Sequence, residues 1–67
     1  MTDLDLQIVD YLVGQPARTA PQSDIRRHLK KAGIHKAVQR LEKGGYLRRE
    51  GFTAKGSPYL HLTVTPP

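Results

Sequence analysis

Lys36, Gln39, Arg40 and Lys43 recur at i, i+3, i+4 and i+7. At about 100° per residue this spacing gathers them on one side of a helix. Ile34, Val38 and Leu41, at i, i+4 and i+7, take the other side with Ala37 beside them. The polar set has a definite chemistry. A glutamine amide offers adenine a paired donor and acceptor, and an arginine fork matches the guanine edge. Lysine ammonium groups reach base acceptors or phosphates, and His35, at the start of the same helix, can touch a backbone or base edge. What this face is equipped to bind is nucleic acid, duplex DNA above all.

A second group surrounds it. Arg26, Arg27, Lys30 and Lys31 place four cations within six positions, which repel one another unless an anion lies close. They suit phosphates flanking a groove, where they supply affinity without sequence information. Further on, Lys55 sits in a glycine-bearing loop, and Arg48 and Arg49 sit at its base on opposite faces of a strand. Only one of those two arginines can join the same surface; Arg49 is taken as the candidate. For every one of these residues the plain alternative is a solvated surface charge. His28 falls on the apolar side of its segment, where it reads as a packed histidine.

Charge distribution supports a polyanion. The chain has 67 residues and net charge +5. Residues 1–17 hold Asp3, Asp5 and Asp10 and no Lys or Arg, giving −3, whereas residues 18–67 hold all eleven basic residues and carry +8. Such polarity favours an anionic partner on one side of the molecule. Catalysis finds little support. There is no cysteine, Ser23 and Ser57 have no evident His/Asp arrangement, and the six acids are scattered. His28, His35 and His61 lack metal-ligand spacing. The expectation is a binding protein, not an enzyme, with no metal and no cofactor. No apolar run approaches the roughly 20 residues of a membrane span, so no membrane partner is expected and a cytoplasmic, nucleoid-associated location is.

The elements that must hold these side chains can be read in outline. Residues 3–13 read as a first helix, capped by Thr2 or Asp3, with Asp3 and Asp5 favouring its positive end. It carries two apolar stripes, Leu4, Ile8, Tyr11 and Leu12 on one and Leu6, Val9 and Val13 on the other. The second stripe is surplus for so short a chain; it is either a wide core contact, covered by the C-terminal strand, or a homodimer interface. Gly14-Gln15-Pro16 ends that helix, and residues 17–20 suit a brief extended segment. Pro21 opens a second helix to about Lys31, with Ile25, His28, Leu29 and Ala32 inward. Ala32-Gly33 is a tight turn into the third helix, 34–43, which Gly44-Gly45 stops. The pattern then alternates. Residues 46–50 and 59–64 read as strands, the second with Leu60, Leu62 and Val64 on one face, joined by a loose tip at residues 51–58. Pro66 and Pro67 end the chain without structure. The expectation is one domain over 1–67.

Three helices and a hairpin make a winged helix, an α+β fold with a helix-turn-helix and a C-terminal two- or three-stranded antiparallel wing. LEKGGYLRR at residues 41–49 resembles the recognition-helix end and first wing strand of winged helix-turn-helix regulators of the multiple-antibiotic-resistance-regulator (MarR) and related types. Ser23-Asp24-Ile25 with Leu29 is similar to their second helix, and Tyr59-Leu60-His61-Leu62-Thr63 to their returning strand. The chain departs from that pattern in a shorter Ile25-to-Ile34 spacing and in having His35 and Lys36 where a serine or threonine is usual. The resemblance implies that the third helix enters the major groove while the wing meets adjacent backbone or the minor groove. It implies a small transcriptional regulator, such as a repressor, binding double-stranded DNA at an operator, with a homodimer through Leu6, Val9 and Val13. Two other uses of the fold stay open: a protein-interaction module, and binding directed by shape or backbone to architectural DNA, RNA or non-B-form DNA.

Overall fold

The computed structural model describes residues 2–63. Its elements run α1 (Asp3–Val13), a short 3-10 turn (Pro16–Arg18), β1 (Thr19–Pro21), α2 (Gln22–Leu29), α3 (Ile34–Lys43), β2 (Leu47–Phe52) and β3 (Pro58–Leu62). The three strands form one antiparallel sheet in the order β1-β3-β2. This is an α+β fold with the winged-helix topology. β1 is the brief extended segment after α1, and it makes the wing sheet three-stranded. No helix among the described residues is long and apolar enough to cross a membrane.

The core forms where the apolar stripes converge. Ile8 and Leu12 from α1, Ile25 from α2, and Ile34, Ala37, Val38 and Leu41 from α3 are buried. Leu47, Leu60 and Leu62 close it from the sheet, with β3 alternating as period-two spacing requires. Val64, expected on the same face, lies outside the described residues, as do Pro66 and Pro67. Two expected inward residues of α2 are not inward: His28 and Ala32 are exposed. The helix ends at Leu29, before Ala32 can complete the stripe, and His28 instead leans on Tyr11 with ring centroids 4.7 Å apart. The outer stripe of α1 is no wide core contact either. Leu6 and Val13 remain 49% and 45% exposed, and only Val9 packs partly on the core.

The early end of α2 explains the short helix-turn-helix spacing. Lys30 takes a left-handed conformation (φ 53°) at the cap, and Gly33 takes another (φ 82°) just before α3. Two left-handed residues reverse the chain within four positions, without a longer loop. α3 leaves through Gly45 (φ 81°), and Tyr46 N–H donates to the Leu41 carbonyl at 2.9 Å. That six-to-one bond is the Schellman closure, which favours a residue without Cβ at the left-handed position. Gly44 itself is right-handed.

The wing is tied down more firmly than a loose tip. β2 carries an extra residue between Arg49 and Phe52, at left-handed Gly51, so its ladder with β3 shifts register. The loop beyond closes on itself: Thr53 N–H donates to the Ser57 carbonyl (2.8 Å), and Ser57 N–H donates to Thr53 Oγ1 (3.1 Å). Ser57 Oγ then accepts from Ser23 N–H at 3.0 Å. A first-turn amide of α2, which has no partner inside its own helix, is thereby capped by a hydroxyl of the wing. Pro21 itself occupies the cap position and offers no side-chain hydrogen bond.

Candidate nucleic-acid interface

The outward side of α3 is as the spacing requires. His35, Lys36, Gln39, Arg40 and Lys43 are all exposed, and Arg26, Arg27, Lys30 and Lys31 are exposed on the end of α2 and in the turn. Two shallow clefts run beside this face. One, of about 590 Å³, lies along the helix-turn-helix and is bordered by Arg26, Lys30, Lys31, His35 and Lys36. The other, of about 420 Å³, lies between the helices and the wing, bordered by Arg26, His35, Arg49, Phe52, Lys55 and Ser57. Arg26 and His35 belong to both clefts, so α2, the start of α3 and the wing present one continuous basic surface. Arg49 and Lys55 thus join Arg26 and His35, while Lys43 stands at the far end of α3.

Ion pairs divide the cations into two kinds. Arg40 Nη2 donates to Asp5 Oδ1 at 2.8 Å, across the seam between α3 and α1. Arg49 Nε lies 3.3 Å from Glu42 Oε1, across the seam between β2 and α3. Arg27 pairs with Asp24 within α2, and Arg48 with Glu50 within β2. Arg26, Lys30, Lys31, Lys36, Lys43 and Lys55 make no ion pair among the described residues. Seams and strand thus use arginine, which holds a carboxylate through a planar fork, and the outer surface is left mainly to lysine.

Asp5 stands in the first turn of α1 as its position in the sequence predicts, but its burial and its pairing with Arg40 were not foreseen. Its side chain is only 6% exposed, against 50% for Arg40. It completes a capping box, in which Thr2 Oγ1 accepts from Asp5 N–H and the Asp5 carboxylate accepts from Thr2 N–H. The Arg40 hydrogen bond, followed by those to Thr2, holds its carboxyl below the ordinary value of 3.8, although burial pushes the other way. A signal was visible: Asp5, Ile8 and Leu12 stand at i, i+3 and i+7, which puts the carboxylate on the core stripe. Gln22 is similar, since Gln22, Ile25 and Leu29 share that spacing; it is buried, and its amide nitrogen is 3.4 Å from His35 Nδ1. Phe52, within the segment read as the loop tip, is 67% exposed on the wing side of the cleft.

Fold and surface together define a small winged-helix domain with a basic outer face. No protein-family model, curated protein or solved structure matches the chain.

Proposed function

We propose that this chain is a sequence-specific double-stranded DNA-binding protein, a small transcriptional regulator that sets α3 in the major groove and its wing against adjacent backbone or minor groove. One observation carries the reading: six cations on the α2, α3 and wing surface have no carboxylate partner among the described residues, whereas Arg27, Arg40, Arg48 and Arg49 each hold one. Unpaired like charges held together on a folded surface are unfavourable alone and favourable beside a polyanion. Gln39 is exposed at the centre of that face, with Lys36 and Lys43 on either side along the helix. Those three are the base-reading candidates. Arg26, Lys30, Lys31 and Lys55 suit phosphates. Arg40 keeps half of its side chain in solvent, so it holds α1 with one nitrogen while its remaining donors stay available to a base or phosphate. Homodimeric operator binding would use the stripe of Leu6, Val9 and Val13 on α1, of which Leu6 and Val13 are exposed.

Selection of bound sequences from random duplexes, with binding followed against salt and the complex sized in solution, tests this. A recurrent sequence motif, bound more tightly than random duplex, is the expected result. Equal affinity for any polyanion would replace it with binding directed by shape or backbone. No duplex binding at low salt would turn the reading towards a protein-interaction module.

A further inference from the structure

Gln22 is the one buried side-chain amide in the described helix-turn-helix, 4% exposed at the first position of α2. Its Nε2 faces His35 Nδ1 at 3.4 Å. An amide NH2 group only donates, so the ring nitrogen facing it must offer a lone pair. The neutral ring then carries its proton on Nε2, at the far side of the imidazole. No buried polar side-chain atom lacks a partner among the described residues, and an unmatched amide at this depth would carry a desolvation penalty. The interior therefore has a stake in which way the His35 ring is protonated. His35 itself is exposed and borders both basic clefts.

We propose that Gln22 is a positioning residue that holds His35 in its Nε2–H form, so that the first turn of α3 offers DNA a hydrogen-bond donor. That donor takes an acceptor, either a phosphate oxygen or the N7 of a purine, and disfavours the amino groups of adenine and cytosine. The neighbouring cations Arg26, Lys36 and Lys55 favour the same electron-rich partners. This specificity rests on the DNA-binding reading above; the tautomer does not.

The test has two parts. Long-range proton–nitrogen correlation of the histidine rings in the free protein, above the usual imidazole range, should show His35 as a single Nε2–H tautomer. Gln22→Met keeps the volume and removes the donor, and should relax the ring to a mixture. An Nδ1–H ring in the unsubstituted protein, or identical spectra for the two proteins, overturns the proposal. Should Gln22→Met fail to fold, Gln22→Glu puts an acceptor in place of the donor and should turn the ring to Nδ1–H; a ring left as Nε2–H overturns the proposal. For the second part, the duplex enriched from a random pool is bound by His35→Ala, with an expected loss of about tenfold. If a purine N7 is the acceptor, 7-deazapurines at the enriched positions abolish that loss; if phosphate is, methylphosphonate linkages abolish it instead. An unchanged affinity in His35→Ala overturns the donor role while leaving DNA binding intact. Failure to enrich any duplex removes both the donor role and the DNA reading, and the ring spectrum then reports only the Gln22 contact.

Discussion

The seam between α1 and α3 and the outer face of α2 and α3 handle charge in opposite ways. At the seam a buried carboxylate meets a guanidinium, and the carboxylate also closes the capping box of its own helix. On the outer face Lys30, Lys31, Lys36 and Lys43 have no such answer among the described residues. The difference separates charge that holds the fold from charge offered to a partner. It also shows why residue type alone misleads: Arg40 lies on the same helix face as Gln39, yet its position at the edge of that face brings it to Asp5.

The comparison can be broken most sharply by neutralising the outer set. Replacing Arg26, Lys30, Lys31, Lys36, Lys43 and Lys55 by glutamine should leave thermal unfolding little changed and abolish duplex binding. If Arg26, Lys30, Lys31 and Lys55 each meet a phosphate, the parent protein shows a salt slope of about −3.6 on a log–log plot, and the variant a slope near zero. A slope unaltered by these changes would mean that the unpaired cations are merely solvated.

Next in size is the seam. Arg40→Ala leaves Asp5 buried with only Thr2, and should destabilise the domain by about 1–3 kcal/mol, a range already reduced for the half-exposed guanidinium. Asp5→Asn breaks the same pair but frees Arg40. Denaturant melts should fall for both variants, whereas duplex affinity, measured well below the midpoint, should fall only for Arg40→Ala if its spare donors reach DNA. Equal affinity in both would make Arg40 purely structural. The pair also predicts a pH dependence. Because the folded carboxyl value of Asp5 lies below its ordinary value of 3.8, its contribution is complete above that value and is lost as pH falls through the lowered folded one. Asp5→Asn should flatten acid unfolding in that window.

Lys30 combines both kinds of role. Its left-handed cap conformation is one that glycine adopts more easily. Lys30→Gly should therefore stabilise the fold by about 0.5–1 kcal/mol while weakening every duplex alike and lowering the salt slope by about one unit. The smallest effect belongs to Arg49→Ala. Its pair with Glu42 is about one-third exposed on each side, and its loss should cost roughly 0.5 kcal/mol or less in a chemical melt. A larger loss would make the Arg49–Glu42 pair a structural tie between the wing and α3.

The helices, the glycine exit of α3 and the alternating β3 strand were legible from residue order, because each depends on periodicity within a few residues. So was the outward side of α3, since the same periodicity that buries Ile34, Val38 and Leu41 must expose Lys36, Gln39 and Lys43. Tertiary structure alone decided the partners. Ser57 caps α2 from 34 residues away, and Arg40 finds Asp5 across 35; no local pattern encodes such meetings. It likewise turned His28 out to solvent and ended α2 at Leu29, because the route of the chain through Lys30 and Gly33 depends on where α3 must dock. Local spacing specifies which face of an element is apolar, but which charge answers which follows only once those faces have packed.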